Sequence, residues 1–358
     1  MPGPNKSGQS SATLHEILSQ PDIWRQCLNE LQRSSVIEEV LQSTKLRTEW
    51  IFVGCGTSYY LAEAAAASWT MLTGQPARAL PASETILFPR LAMRAPENVQ
   101  AVVISRSGQT SEAVRAANLL SQEFRIPTLG ITCAAESPLQ KACDRTMQLL
   151  AADEKSMVMT RSFSSMLLTL QYVASRKSFE KTFPATLERM ADLFARRIGA
   201  LASQIEEFVL THDFADYVFL GQGPFHALAR EASLKITEMS CSYSQSFHTL
   251  EFRHGPKAIV GPETSLTFFL SESGSQAECE VLAEMHELGG VTIAVCNHAI
   301  ETIRRSSDLV FELGFDGPEL ATLAPYIVPA QLLGFFTGVR KNLNPDEPKN
   351  LSRVVILD

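Results

Sequence analysis

The sequence has no paired-cysteine pattern. Its seven cysteines (Cys27, Cys55, Cys133, Cys143, Cys241, Cys279 and Cys296) are odd in number and scattered, and no Cys-x-x-Cys occurs. This excludes a disulfide framework, argues against a structural zinc site and fits reduced thiols in a cytosolic compartment. Excess positive charge is also missing. Thirty-one Lys and Arg against 39 Asp and Glu give a net charge of −8, which argues against a broad nucleic-acid or anionic-membrane surface. A small basic pocket for one phosphate remains compatible with that balance. The longest apolar stretches, such as LAEAAAASWTML, carry charge or are too short to span a bilayer. The N-terminus, MPGPNKSGQSS, lacks the apolar core of a signal peptide. A soluble cytoplasmic protein with neither a nucleic-acid nor a membrane partner is expected. No His-Glu-x-x-His, no pair of histidines at metal-ligand helical spacing and no Gly-x-Ser-x-Gly occurs, so neither a metal nor a serine-hydrolase elbow is expected.

What is present is a duplication. The length of 358 residues suggests about two domains at ~150 residues each. WIFVGCGTSYYLAEAAAASW begins at Trp50 and YVFLGQGPFHALAREASLKI at Tyr217, and each reads as a short β-run, Gly-x-Gly, then a helix. Gly54 and Gly221 lie 167 apart, Gly108 and Gly274 lie 166 apart, and Thr128 and Thr292 lie 164 apart. Three matches in order at nearly constant offset imply two copies of one α/β unit. Short apolar strands are expected near 50–54, 101–105, 128–132 and 147–150, then near 217–221, 265–270, 291–296 and 309–313. Helices between them argue for parallel sheets covered on both faces, flavodoxin-like or Rossmann-like. The expected divisions are a helical segment over 1–44, domains over 45–193 and 194–345, and a tail over 346–358.

In open α/β sheets ligands bind beyond the carboxyl ends of the strands. Ser105-Arg106-Ser107-Gly108-Gln109-Thr110 has the composition of an anion cradle: three hydroxyls, a glycine that admits close approach, and a helix N-terminus behind it. The same residues would also serve as the capping hydroxyls of an ordinary serine-rich turn. In the second copy Glu272 replaces Arg106, and a carboxylate there disfavours phosphate. Neither GCGTSY nor GQGPFH completes Gly-x-Gly-x-x-Gly, so a dinucleotide is not expected and no cofactor is assigned. Glu231, Lys235 and Glu238 share one helical face at i, i+4 and i+7. That spacing suits either a solvated salt-bridged stripe or a carboxylate base beside an ammonium. His254 precedes Gly255-Pro256 on a tight turn and could project into a cleft. The other histidines, His226 and His248 among them, are read as ordinary.

Together, CGTS at 55–58, SRSGQT at 105–110, EASLKITE at 231–238, FRHGPKAIV at 252–260 and KNLSRVVILD at 349–358 resemble the double sugar isomerase (SIS) family. The chain is similar to the isomerase half of glucosamine-6-phosphate synthase and to stand-alone amino-sugar-phosphate deaminase/isomerases. The resemblance implies two tandem SIS domains and a sugar-phosphate substrate. It places Thr57, Ser58, Ser105, Arg106, Ser107 and Thr110 in the phosphosugar loops, and Val158, Thr160 and Ser162 in the region that contacts sugar hydroxyls. It makes Glu238 the base that shuttles a proton between C1 and C2, with Lys235 one turn earlier and Glu231 a further acid. His254 would open the sugar ring from a neighbouring subunit, which implies a homodimer.

Two departures bear on the reaction. The chain begins Met1-Pro2-Gly3, where the synthase has a cysteine nucleophile and a glutaminase domain. Arg353 also stands where the synthase tail has a Schiff-base lysine, and a guanidinium stays protonated. The expected activity is therefore that of an amino-sugar-phosphate isomerase/deaminase, converting an aldosamine 6-phosphate to a ketose 6-phosphate and ammonia. The alternatives are a fructosamine-6-phosphate deglycase, a glutamine-independent aminotransferase-type isomerase and a non-catalytic sugar-phosphate sensor.

Overall fold

The computed structural model describes residues 11–43, 47–93, 96–178 and 180–357. Ten strands form two five-stranded sheets, parallel throughout. The first contains β1 (Glu49–Gly54), β2 (Ala77–Pro81), β3 (Val99–Ile104), β4 (Thr128–Thr132) and β5 (Arg145–Gln148), in the order β2-β1-β3-β4-β5. The second contains β6 (Asp216–Gly221), β7 (Tyr243–His248), β8 (Thr264–Phe269), β9 (Val291–Cys296) and β10 (Leu309–Glu312), in the order β10-β9-β8-β6-β7. Read from the other edge, that is the same order. The expected duplication is thus a duplicated flavodoxin-like sheet, and each copy has its topological switch point between its first and third strands.

Burial explains which strands the sequence announces. β3, β4 and β8 are buried at every residue and consist mostly of β-branched and apolar residues, as suits central parallel strands, with Gln100 in β3 and Ser265 in β8 the polar exceptions. The edge strands β2 (ARALP) and β7 (YSQSFH) have no fully buried residue. They carry no apolar run, and Pro81 is tolerated because an edge strand leaves one side unpaired. These two edge strands are not expected from the apolar pattern, whereas the opposite edges, β5 and β10, are. The strand expected near 147–150 forms at Arg145–Gln148, and a 3₁₀ turn follows at Leu150–Ala152.

The described chain divides into two compact units that do not follow the sequence linearly. One comprises residues 22–154, 161–189 and 352–358, and the other 11–21, 155–160 and 190–351. In the first, the Trp50 and Trp69 rings lie 3.8 Å apart and seat the helix Thr57–Thr73 on β1. In the second, the helix Leu323–Arg340 is almost wholly buried and lies against the helix Pro224–Ser240. Its segment has the length and hydropathy of a membrane span, but it serves as a core helix. Asp346 fastens the start of the second unit by accepting hydrogen bonds from Ser11 Oγ (2.7 Å), Thr13 N (2.8 Å) and Ala12 N (3.0 Å).

The two helices meet backbone to backbone. A Cβ at Gly338 would stand 2.2 Å from the Met239 carbonyl oxygen, and one at Gly334 would stand 3.0 Å from that of Lys235. Gly338→Ala must therefore push the Pro224–Ser240 helix away, at a cost of ~1–3 kcal/mol typical of overpacking. A lower unfolding midpoint in a thermal melt is the expected result.

Candidate functional site

Each copy begins with the same turn. A Cβ on Gly54 would stand 2.4 Å from the Ser58 carbonyl oxygen, and one on Gly221 would stand 2.4 Å from that of Phe225. Only glycine lets the helix start so close to the strand end. In the first copy this brings Thr57 and Ser58, both nearly buried, to the carboxyl edge of the sheet.

The second loop of that copy follows β3. Gly108 N donates to Ser105 Oγ (3.1 Å), Ser105 Oγ donates to Thr110 Oγ1 (3.3 Å), and Gln109 N donates to Ser107 Oγ (3.2 Å). The Arg106 carbonyl accepts from Thr132 Oγ1 (3.0 Å) and Cys133 N (2.9 Å). Gly108 has φ +62°, and a Cβ there would meet Ser137 Oγ at 2.3 Å. The loop is therefore fixed by bonds and contacts within the chain itself. Arg106 is buried, and its Nη1 lies 3.5 Å from Oε2 of the fully buried Glu154. Ser162 Oγ donates to the same carboxylate. Sequence reasoning missed Glu154, which ties two expected site residues together. It lies in a polar stretch, and only its burial marks it.

The tail returns to this unit. Arg353 Nη2 donates to Asp153 Oδ1 (2.8 Å), and the Arg353 carbonyl accepts from Arg106 Nη2 (3.3 Å). Ser111 N donates to the Val355 carbonyl (3.2 Å), and Leu357 N donates to Ser111 Oγ (2.9 Å). Thr57, Ser58, Ser105, Arg106, Ser107, Thr110, Ser162 and Arg353 all belong to this unit, whereas Val158 and Thr160, both buried, belong to the other.

In the second unit the helix Pro224–Ser240 resolves the ambiguity over its charged face. Glu231 and Lys235 have no exposed surface and the Glu238 side chain keeps 17%, so this is not a solvated stripe. Lys235 Nζ lies 3.3 Å from Glu231 Oε1 and donates to Glu238 Oε2. Burial alone would pull the ammonium's pKa down. The two carboxylates outweigh it, and the pKa is raised above the ordinary lysine value. Glu238 borders a cleft of about 230 Å³ with Cys241 and residues of the 342–349 segment.

His254 sits on its turn with its N–H donating to the Glu251 carbonyl (3.0 Å). Its side chain is exposed, and its ring bonds to no described residue. His226 and His248, expected to be ordinary, stack at 3.7 Å. Burial, then the neighbouring His248 and Arg230, push the His226 pKa down to about 4. Among the described residues no group of three or more His, Cys, Asp or Glu is placed to hold a metal ion.

Two flavodoxin-like sheets, a serine-glycine loop at one switch point and a buried Glu-Lys-Glu helix define a class of tandem α/β protein. Residues 47–176 and 216–332 match the SIS domain, and the chain belongs to the SIS domain family. It is 27% identical to the isomerizing glutamine–fructose-6-phosphate aminotransferase of Methanothermobacter thermautotrophicus, over 99% of this chain and 58% of the aminotransferase. The chain thus spans little more than half the length of that relative. It is 27% identical to a D-galactosamine-6-phosphate deaminase of Shewanella, over 94% of this chain and 87% of the deaminase. The crystal structure of glucosamine-6-phosphate deaminase from Thermotoga maritima superposes with a TM-score of 0.79 at 28% identity, covering 97% of this chain and all of that one.

Replacing Lys235 by Met leaves Glu231 and Glu238 as like charges with no ammonium between them, so Lys235→Met should unfold at a lower temperature than the wild type. Because the lysine pKa is raised by folding, the stability it contributes is complete below ~10.4, the unfolded value. That contribution fades as pH rises through the folded value, and alkaline denaturation of the wild type against the variant checks it.

Proposed function

We propose that the chain is an amino-sugar-phosphate isomerase that releases ammonia, taking an aldosamine 6-phosphate to a ketose 6-phosphate. The observation that carries this reading is the Glu238 carboxylate at the edge of a cleft, held by a buried ammonium. On this reading the phosphate sits on the Ser105–Thr110 loop and the Thr57 and Ser58 hydroxyls. His254, supplied by a second copy of the chain, assists ring opening. Glu238 takes the proton from C2 of the open-chain aldehyde, and the electron pair moves to give the C1–C2 enolamine. The same carboxyl group returns the proton to C1, which leaves an imine at C2. Water adds to the imine and ammonia departs. Lys235 stabilises the charge that develops on O1 and holds the Glu238 carboxylate in place.

Two relatives named as deaminases of an amino-sugar 6-phosphate support this reading, one 27% and one 28% identical to this chain. Arg353 supports it as well: its guanidinium is already engaged by Asp153 and cannot form an imine with a ketose.

Ammonia release coupled to glutamate dehydrogenase, with glucosamine 6-phosphate and galactosamine 6-phosphate in parallel, tests the proposal. Release from at least one is expected. Glu238→Gln should lose about 10²–10⁴ in kcat, as befits a general acid–base group, when assayed well below its melting point, and it should melt below the wild type because Lys235 then keeps one carboxylate instead of two. Silence with both sugars, or near-wild-type turnover by the variant, would refute the assignment.

A further inference from the structure

The loop after β8 repeats the cradle of the first copy. Ser271, Glu272, Ser273 and Gly274 align with Ser105, Arg106, Ser107 and Gly108. The loop makes the same internal bond, with Gly274 N donating to Ser271 Oγ at 2.9 Å. The difference lies in what fills it. A carboxylate from 46 residues downstream, Glu319, accepts from Glu272 N (2.9 Å), from Ser273 N (3.3 Å) and from Ser273 Oγ. In the first copy the Ser107 amide and hydroxyl meet no carboxylate among the described residues. A second carboxylate closes the floor: the fully buried Glu278 accepts from Ser271 N (2.9 Å) and Ser271 Oγ (2.5 Å). Its first-copy counterpart, Glu112, is only half-buried. Glu272 turns to the buried Asn297, whose Nδ2 donates to it at 2.6 Å.

We propose that the second half of the chain carries a working oxyanion loop, that Glu319 is its resident anion, and that Glu272 suits it to a carboxylate rather than to a phosphate monoester. Two adjacent backbone amides and a hydroxyl converging on one anionic group form the arrangement that binds an external oxyanion elsewhere. Here the ligand is tethered. A singly charged carboxylate can stand beside Glu272 and Glu278, but a dianionic phosphate would face two like charges. The bond also ties the 3₁₀ turn Glu319–Thr322 to the loop, immediately before the buried helix Leu323–Arg340. A consequence is that each chain takes one sugar phosphate although it has two cradles. The inference does not depend on which reaction the first cradle serves.

The test uses the full chain with inorganic phosphate as probe. Glu319→Ala combined with Glu272→Arg, which restores the first copy's residue, should bind one equivalent of phosphate more than the wild type in equilibrium dialysis, whatever the wild-type count. Glu319→Ala alone should melt about 2–6 °C lower, as loss of a charged hydrogen-bond acceptor in a domain of this size implies. It should regain stability in sodium acetate but not in sodium chloride of equal ionic strength. An unchanged phosphate count, or acetate shifts equal in variant and wild type, would overturn the proposal. Should the alanine variants not fold, Glu319→Gln takes their place. Amide hydrogen exchange at Glu272 and Ser273 should then quicken several-fold, and unchanged protection would equally overturn the proposal.

Discussion

An ammonium with no exposed surface must be compensated where it sits, and much of the second unit follows from that requirement at Lys235. Removing such a charge from water costs several kcal/mol even after relaxation. The cost is bearable only because Glu231 and Glu238 approach from the turns on either side. The spacing of four and three residues puts all three on one line of an unbroken helix. Two carboxylates on one ammonium leave a net negative charge, and it is the outer one, Glu238, that meets the cleft. The helix needs a firm seat for this geometry to persist. Gly334 and Gly338 provide it by letting a neighbouring helix approach to backbone contact. The position of a carboxylate at a cleft edge thus depends on two glycines about 100 residues further along the chain.

The two copies show which features geometry fixes and which charge decides. Strand order, the close strand-to-helix turn and the serine–glycine bond in the loop recur with nearly the same dimensions. These are backbone requirements, and few residue types meet them. Around the loops the side chains diverge. In the first loop Arg106 is paired with the buried Glu154 and bonded to a tail carbonyl, whereas Glu272, Glu278 and Glu319 bring three carboxylates to the second, and Glu319 fills it. The same backbone cradle can therefore be open to one class of ligand and occupied by the chain itself, with no change of fold.

This division also explains what could be read in advance. Central strands announce themselves because burial on both faces favours β-branched and apolar residues along most of their length. The edge strands Ala77–Pro81 and Tyr243–His248 do not, since half-exposure removes the constraint. The internally bonded loop at Ser105–Thr110 is legible because its hydroxyls and glycine must stand at adjacent positions, though its ligand is not. Glu154 and Glu319 were not legible, because each is defined by its partner across the fold and neither has a local pattern. The Glu231-Lys235-Glu238 face lay between these cases. Its spacing is the same for a solvated stripe and for a buried triad, and only the glycine-lined helix that covers it separates the two.

Arg353 is where sequence, geometry and chemistry converge. Its guanidinium is tied to Asp153, its carbonyl accepts from Arg106, and the residues that follow bond to Ser111. The tail is therefore held to the cradle's own helix by groups that cannot act as nucleophiles. A permanently protonated residue at this position is a defect only if the enzyme must form an imine with a ketose. An aldosamine phosphate brings its nitrogen on C2, so proton transfer from C2 to C1 generates the imine within the substrate. For that reaction the chain needs one mobile proton carrier near C1 and C2 and a fixed grip on the phosphate. Under the proposed reading, Glu238 supplies the first and the Ser105–Thr110 loop the second, and the tail arginine is left free to hold the loop in place.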